Sequence, residues 1–359
     1  MKIGIITFTV HNFGAQLQAY ALTKVLNNWG YDAEICDVLI EPSSIRLRRK
    51  KKVKEYLRGL FSVDCLRTAY RIIRKFFKIK SSINKETGSG FSEFYREYVK
   101  KSRQYTADEL RHGITEYDCY ITGSDQVFNY TMSSILDIYF LSFTNKKKIS
   151  YAASFGVNNI PWRLKNMYRT YLNGLDFISV RENSGKKIVE CLVSKSANLV
   201  VDPTFLLNKQ QWSNIFDFTI DVPERFIFVY DLIESDYLTN YVYYLSKKIN
   251  AEIVSAAEKT PQQFIFLIEK SIHVVTTSFH ATALSINFGK NFTTIYRKSK
   301  EGNSRLIDVC KRYGMEKHLL FEGEKFKIPV MNSQKYTSVL NSDINSSITF
   351  LKNSLMEAK

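Results

Sequence analysis

The sequence contains few of the residues that dominate disordered, collagenous or disulfide-linked chains. Only six of its 359 residues are proline and 15 are glycine, whereas 45% are hydrophobic and 14% aromatic. A disordered or low-complexity chain is therefore excluded. The five cysteines are scattered, and no pair has the Cys-x-x-Cys spacing, so the sequence predicts neither a disulfide framework nor a zinc site. We expect a protein of the reducing cytosol with no metal.

Long hydrophobic runs are also missing. No stretch approaches the ~18–20 apolar residues that cross a membrane. The apolar run at the start ends at His11 and is too short for a signal peptide with its cleavage site, so it predicts a buried first strand. Because single cores stop growing at about 250–300 residues, the length favours two domains.

Acidic residues are scarce relative to basic ones. There are 35 Asp and Glu against 51 Lys and Arg, a formal net charge of +16. Residues 46–80 hold fourteen of the Lys and Arg and only two acidic residues, a net charge of +12. The excess charge therefore belongs to one segment, and the rest of the chain is close to neutral.

This basic segment is also amphipathic. Apolar residues recur at helical spacing at Leu66, Ala69, Ile73 and Phe76, and basic residues fill the other face. The pattern suits an anionic membrane surface, where each Lys or Arg adds about 1 kcal/mol. It also suits a solvated helical insertion, at about 42–104, that packs on the first domain. Nucleic-acid binding is a third interpretation, but we expect no nucleic acid because no such motif accompanies the charge.

Strand-like and helical patterns alternate through most of the chain. Predicted elements of a first parallel sheet lie at 2–9, 15–29, 32–38, 117–122, 148–153 and 177–180. Those of a second sheet lie at 226–230, 237–249, 252–255, 261–270, 273–276, 279–288 and 292–296. We expect an α/β protein with domains at 1–204 and 205–336 and a final helix within 337–359. Two such sheets place a ligand where the loops at the carboxyl ends of their strands face one another.

Two candidate segments follow strands of the predicted first sheet. In the first, Gly14 allows a close backbone approach, and free amides at the start of the helix attract anions. The alternative is an ordinary turn. In the second, GSDQVFN at 123–129, Asp125 could bind sugar hydroxyls or accept a proton from one, or could cap a helix.

Two further segments each offer one chemically capable residue. Arg181 lies just past a strand and presents a planar fork for a carboxylate or phosphate, unless it pairs with a neighbour such as Glu182. His280 lies at a strand-to-helix turn and can exchange protons near neutral pH, unless it only hydrogen-bonds at the helix start. Arg297 and the run 303–305 follow the next strand and could close the site with positive charge.

Together and in this order, the segments resemble the polysaccharide pyruvyl transferase family. The resemblance runs from Lys2 to about Ile307 and rests on NFGAQLQAYAL, TGSDQVFN, YAASFG, ISVRE, VDPTFLL and TTSFHATALSI. It implies two Rossmann-like domains in a GT-B-like arrangement, with the active site in the interdomain cleft. It also implies transfer of the enolpyruvyl unit of phosphoenolpyruvate to two hydroxyls of a sugar. The product is a cyclic pyruvate ketal on a bacterial surface polysaccharide, such as a capsule, or on its lipid-linked precursor, and phosphate is released.

The resemblance implies roles for individual residues as well. His280 is the expected general acid, and Asp125 is expected to orient or deprotonate the acceptor hydroxyl. The expected donor-binding residues are Gly14, Arg181, Ser278, Arg297, Asn303 and Arg305. The expected acceptor-binding residues are Asn12, Gln16, Ser124, Gln126 and Asn129. Phosphoenolpyruvate is a co-substrate, and no step needs a metal or another cofactor.

One departure from the family pattern concerns the donor. Some members have Arg-Leu-His where this chain has Ser278-Phe279-His280, so either Arg297 or Arg305 replaces the missing cation or the donor binds differently. The expected acceptors include a polyprenyl-diphosphate-linked oligosaccharide, with the enzyme at the inner face of the cytoplasmic membrane through residues 46–80. The alternatives are a GT-B nucleotide-sugar glycosyltransferase and a non-catalytic basic module that binds membrane or glycan.

Overall fold

The computed structural model describes residues 1–39, 87–113, 116–133, 135–297, 303–331 and 333–357. The basic segment 46–80, for which a membrane surface is the expected partner, lies outside these residues. The described chain forms two parallel sheets with helices between the strands. The α/β fold that the alternating patterns predict is therefore confirmed.

The first sheet has seven strands. They are β1 (Lys2–Ile6), β2 (Asp32–Leu39), β3 (Lys101–Thr106), β4 (Cys119–Thr122), β5 (Lys147–Ala153), β6 (Phe177–Val180) and β7 (Asn198–Leu199). Their order is β3-β2-β1-β4-β5-β6-β7, and every neighbouring pair is parallel. The central strands β1 and β4 are almost wholly buried, as their continuous apolar sequences require.

Among the described residues, six α-helices accompany the first sheet. They are α1 (Phe13–Asn28), α2 (Thr87–Tyr98), α3 (Ala107–Arg111), α4 (Leu136–Tyr139), α5 (Lys165–Asn173) and α6 (Asn183–Leu192). Helix α1 begins where the Asn12 side chain accepts a hydrogen bond from the Ala15 amide at 3.2 Å. This cap fixes the turn between β1 and α1, which contributes to the site described below.

The second sheet has five strands. They are β8 (Phe226–Tyr230), β9 (Glu252–Ser255), β10 (His273–Thr276), β11 (Phe292–Tyr296) and β12 (Leu319–Phe321), in the parallel order β12-β11-β10-β8-β9. The other α-helices of the described residues are α7 (Lys209–Ser213), α8 (Asp236–Ile249), α9 (Pro261–Lys270), α10 (Phe279–Asn287), α11 (Ser304–Arg312) and α12 (Ser333–Met356). Helix α9 starts with a capping box between Thr260 and Gln263 and has Pro261 at its first position, where proline is tolerated.

The two sheets meet through helices. Helix α1 packs against α9 and α10, and the rings of Phe13 and Phe264 stack with their centroids 4.3 Å apart. Tyr230 contacts both rings. At the end of the chain, α12 returns to the first sheet, where the Ser347 hydroxyl accepts a hydrogen bond from the Val201 amide. Buried apolar residues from both sheets consequently form one continuous cluster.

Most predicted elements lie where the sequence places them. The structure begins and ends β6, β8, β9, β10, β11 and α9 at the predicted residues. The sequence does not predict β3, β7 or β12, of which β7 has only two residues and β3 is mostly exposed and polar. Within the described residues, no helix is both long enough and apolar enough to cross a membrane.

Candidate active site

The loop after β4 places Ser124 and Asp125 at the carboxyl end of the first sheet. Gly123 has a φ of +110°, and a Cβ atom there would lie 2.3 Å from a backbone carbonyl oxygen of β5, so only glycine fits. The Ser124 amide donates a hydrogen bond to the Gln18 side chain at 3.1 Å, and its hydroxyl lies 2.9 Å from the Asp202 carboxylate. These contacts fix the loop against α1 and against the chain after β7.

Arg181 lies directly after β6 and pairs with two carboxylates. Its Nη1 is 2.7 Å from Oδ2 of Asp202, and its Nη2 is 3.0 Å from Oδ1 of Asp125. Only 1% of the Arg181 side chain is exposed, and its guanidinium packs 4.3 Å from the centre of the Phe279 ring. The neighbour Glu182 is farther away, with Oε2 3.8 Å from Nε. Arg181 therefore joins three loops and α10 in one cluster.

The Asp202 carboxylate is fully buried and accepts hydrogen bonds on both oxygens. Oδ1 accepts from the amide and hydroxyl of Thr204 at 3.1 and 2.8 Å, and Oδ2 accepts from Arg181 and Ser124. Burial alone would raise the pKa of Asp202, but the neighbouring His280 and Arg181 and the bond from the Thr204 amide lower it below its ordinary value. Asp202 is therefore ionised at neutral pH and compensates the charge of Arg181.

His280 is the second residue of α10, which the Ser278 hydroxyl caps. Its side chain is buried, with Nε2 3.4 Å from Nη1 of Arg181 and 3.7 Å from Oδ2 of Asp202. Burial lowers the pKa of His280, and although Asp202 and Asp125 oppose this effect, the pKa stays below its ordinary 6.5. The imidazole is therefore neutral at pH 7 when no ligand is bound.

The backbone of α1 forms the opposite wall of the imidazole. A Cβ atom on Gly14 would lie 2.0 Å from Nδ1 of His280, so no larger residue fits at this position. The backbone at Gly14 thus closely approaches the histidine ring, and the expected contact of Gly14 with an anion stays a prediction. Because α1 accompanies the first sheet and α10 the second, His280 lies at the junction of the two.

Asp125 is the more accessible of the two carboxylates that pair with Arg181. Its side chain is 14% exposed, whereas that of Asp202 is fully buried. Burial would raise the pKa of Asp125, but Arg181, His280 and Arg305 together lower it below its ordinary value. An ionised carboxylate of this kind is a good hydrogen-bond acceptor and a weak base. The geometry thus favours orienting a hydroxyl over deprotonating it.

Two further arginines differ in what they contact. Arg297 forms an ion pair with Glu322, with 2.8 Å between Nε and Oε2. The guanidinium of Arg305 lies 5.9 Å from the centre of the Phe279 ring, on which Arg181 also packs. Arg305 has no ion pair or hydrogen bond with any residue that the structure describes. Burial lowers the pKa of Arg305 to about 10, so it keeps its positive charge at neutral pH and can meet an anionic ligand.

Comparison with known sequences decides the family. The model of the family "Polysaccharide pyruvyl transferase" matches residues 12–299, a range that contains Gly14, Asp125, Arg181 and His280. The chain belongs to the polysaccharide pyruvyl transferase family. This membership makes it a transferase of polysaccharide biosynthesis. None of the curated proteins matches the sequence.

Solved structures of similar fold share little sequence with this pyruvyl transferase. A proposed UDP-N-acetylglucosamine 2-epimerase from Listeria monocytogenes is 10% identical, with a TM-score of 0.50, and the match covers 98% of this chain and 88% of the other. S. aureus MnaA, solved with UDP, is 9% identical, with a TM-score of 0.51 and coverage of 97% and 89%. At this identity the likeness shows the fold alone. It confirms the GT-B-like architecture of two parallel sheets, whereas the interdomain cleft stays a prediction.

The residues expected to bind the acceptor have different surroundings in the pyruvyl transferase. Ser124 belongs to the Arg181 cluster, and Asn12 caps α1. Asn129 donates a hydrogen bond to the Gln126 side chain at 2.9 Å and accepts one from a nearby backbone amide. Gln16 is fully buried, and neither of its amide atoms has a hydrogen-bond partner among the described residues. Acceptor contacts by these residues stay predictions.

Sequence reasoning misses three residues of the cluster: Gln18, Asp202 and Phe279. Gln18 joins the Thr7 hydroxyl to the Ser124 amide. Asp202 stands in an Asp-Pro-Thr sequence, a pattern typical of a capped turn, and this local pattern does not reveal its pairing with Arg181. Phe279 precedes the histidine and looks from sequence like an ordinary core residue.

One cavity that the described residues form beside the cluster is small. A cavity of about 20 Å³, lined by Arg181, Asp202, Phe279 and Asp308 among others, has room for about one water molecule. Among the described residues no three His, Cys, Asp or Glu side chains are grouped so that they could hold a metal ion. A ligand larger than water does not fit this cavity, and Asp125 provides the exposed edge of the cluster.

Proposed function

We propose that this family member transfers the enolpyruvyl unit of phosphoenolpyruvate to two hydroxyls of one sugar, which forms a cyclic pyruvate ketal and releases phosphate. The observation that carries the proposal is the buried His280 imidazole, held between Gly14, Arg181 and Asp202. A histidine fixed in this way can deliver a proton to a substrate carbon.

The reaction needs one acid and two nucleophilic hydroxyls. His280 gives a proton to the methylene carbon of phosphoenolpyruvate, and the neighbouring carbon becomes electrophilic. The first sugar hydroxyl adds to that carbon, and its proton restores the acid. The second hydroxyl then displaces phosphate from the same carbon, and its proton leaves with the phosphate. One proton is thus retained in the new methyl group, and the phosphate carries the other.

Binding of the donor protonates His280, the form in which it acts as the acid. The free imidazole is neutral because burial lowers its pKa. A bound phosphate and carboxylate add negative charge nearby, which raises the pKa of a histidine. Asp202, 3.7 Å from Nε2, stabilises the charged imidazolium further. Donor binding therefore loads the acid with its proton, so an empty site holds little of the reactive form.

The charges around His280 support different roles for Asp125 and Arg305. Asp125 is partly exposed and ionised, and it is suited to accept hydrogen bonds from sugar hydroxyls. Arg305 is positively charged and unpaired among the described residues, and it is suited to the anionic donor. Arg305 thus takes over from the missing arginine of the Arg-Leu-His pattern, whereas Arg297 already pairs with Glu322.

We propose a lipid-linked oligosaccharide or its polymer as the acceptor, with residues 46–80 docking on anionic membrane. The net charge of +12 in that segment supports docking. Vesicle sedimentation at low salt tests it: neutralising the Lys and Arg of 46–80 is expected to weaken binding to anionic vesicles. Unchanged sedimentation would reject the docking.

Phosphate release from phosphoenolpyruvate tests the function, measured across lipid-linked and free sugars with the ketal identified by mass. His280→Ala is expected to lower kcat by about 10²–10⁴-fold, the contribution typical of a general acid. His112→Ala, at an exposed histidine, is the matched control and should keep full activity. Turnover of a nucleotide sugar with none of phosphoenolpyruvate, or wild-type turnover by His280→Ala, would overturn the proposal.

A further inference from the structure

Asp125 has a backbone conformation that few residues with a Cβ atom adopt. Its φ is +64°, in the left-handed region, which aspartate tolerates better than most residues. Such a conformation persists only where the surroundings impose it, and it concentrates at functional sites. Hydrogen bonds from the Ser154 and Val127 amides, at 2.8 and 2.9 Å, hold the Asp125 carbonyl oxygen on one side. On the other side the conformation depends on the preceding residue, Ser124.

Each polar group of Ser124 is bonded to the surrounding fold. Its amide donates a hydrogen bond to Oε1 of Gln18 at 3.1 Å. Its carbonyl oxygen accepts one from the Thr7 hydroxyl, also at 3.1 Å. Its own hydroxyl lies 2.9 Å from the Asp202 carboxylate. Because Ser124 is fully buried, no water replaces these partners, and the residue cannot rotate without breaking the bonds.

Thr7, which follows β1, and Gln18, on α1, act on Ser124 as a pair. Nε2 of Gln18 donates to the Thr7 hydroxyl oxygen and to the Ala15 carbonyl oxygen, both at 2.9 Å. Both protons of the Gln18 amide are thus used, and the Thr7 hydroxyl gives its only proton to the Ser124 carbonyl. Both side chains are buried. The directions of these bonds are therefore fixed, and we call the pair the Thr7–Gln18 clamp.

Helix α1 connects the Thr7–Gln18 clamp to His280. Gln18 lies four residues after Gly14, about one turn along the helix and on the same face. The Gly14 backbone borders the His280 imidazole, and Gln18 holds the residue before Asp125. One face of α1 therefore contacts both parts of the site. Sites built on a helix are held more precisely than sites on loops, and here the helix holds the loop.

We propose that Thr7 and Gln18 are positioning residues for Asp125. They act through Ser124, which they hold by its amide and its carbonyl oxygen, and so direct the Asp125 carboxylate toward a sugar hydroxyl. Loss of the clamp should raise the KM for the sugar and lower kcat, whereas the KM for phosphoenolpyruvate should not change. That Asp125 orients an acceptor rests on the proposed function, but the hold on the loop after β4 does not depend on it.

Steady-state kinetics of phosphate release test the positioning role. Thr7→Val removes the hydroxyl at nearly constant shape and should lower kcat/KM for the sugar about 10²-fold, as for a displacement of about 1 Å. Thr7→Ser keeps the hydroxyl and should restore most of the activity. Gln18→Met removes the bond to the Ser124 amide and should act like Thr7→Val. Thr23→Val is the matched control, because it removes a buried hydroxyl of α1 that bonds to the Ala19 carbonyl, and it should keep wild-type kinetics.

Amide hydrogen exchange without substrate separates this inference from the proposed function. Exchange within 123–129 should rise about tenfold in Thr7→Val and Gln18→Met but not in Thr23→Val. If it does so while the wild type fails to turn over phosphoenolpyruvate, the hold on the loop stands and the function falls. If the wild type is active but Thr7→Val keeps its kcat/KM for the sugar, or Thr23→Val loses as much, the function stands and the positioning role falls. Unchanged exchange in folded Thr7→Val would also overturn it.

Discussion

Arg181 and Arg305 pack on the same phenylalanine ring and yet have opposite surroundings. The guanidinium of Arg181 is 4.3 Å from the centre of Phe279, that of Arg305 is 5.9 Å from it. Arg181 forms short ion pairs with Asp125 and Asp202, whereas Arg305 has no ion pair among the described residues. The partners of an arginine therefore decide whether it holds the site together or is available to bind a ligand.

The largest expected effect is on stability, when each of the two arginines is replaced in turn. Arg181→Met leaves the buried Asp202 carboxylate and the partly exposed Asp125 carboxylate uncompensated and should lower the free energy of unfolding by about 3–5 kcal/mol. Arg305→Met removes a charge that pairs with no described residue and should change it by less than about 1 kcal/mol. Urea unfolding of both variants measures the difference. Equal losses in the free energy of unfolding would contradict the inference that Arg181 holds the site together and Arg305 does not.

A methyl group added at Gly14 tests whether the contact between α1 and the His280 imidazole is rigid. Gly14→Ala would place a Cβ atom 2.0 Å from Nδ1 of His280, and overpacking of this kind costs about 1–3 kcal/mol. The displaced imidazole should lower kcat for phosphate release by about 10²-fold. Gly174→Ala, at an exposed helix end with an ordinary φ of −73°, is the control. Full activity of Gly14→Ala would show that the contact can relax.

The smallest effect is a shift in pH dependence. The acid must be protonated, so both kcat and kcat/KM for phosphoenolpyruvate should fall as the pH rises through the pKa of His280. That pKa lies below 6.5 in the free protein, because of burial and the charges of Arg181 and Arg305, and bound donor raises it. The fall in kcat/KM should therefore come at lower pH than the fall in kcat. In Arg305→Met the fall in kcat/KM should move to higher pH, and coinciding falls in the wild type would argue against donor loading of His280.

The sequence predicts those strands that are continuous apolar runs. Phe226–Tyr230 and His273–Thr276 are confirmed at the predicted residues, because central parallel strands are buried on both faces. The edge strand Lys101–Thr106 is polar and mostly exposed. Its place in the sheet depends on pairing with Asp32–Leu39, a partner far away in the chain that no local pattern reveals.

The sequence likewise predicts some residues of the site and not others. Asp125, Arg181 and His280 come together as expected, because loops at the carboxyl ends of parallel strands converge. Which charge compensates which is not a local property. Asp202 lies 21 residues from Arg181 in the chain, and only the folded structure shows that the two side chains pair.

The contact between Gly14 and the imidazole of His280 also limits how sequences of this fold can diverge. The two positions lie far apart in the chain and on helices that accompany different sheets, yet the volume available to one is set by the other. A larger residue at position 14 fits only if position 280 carries a smaller side chain. A small residue at 280 leaves a cavity that a side chain at 14 can fill. Homologues that abandon the histidine should therefore be those in which the glycine is also free to vary, so co-variation of these two columns in a family alignment would mark members that have given up this chemistry.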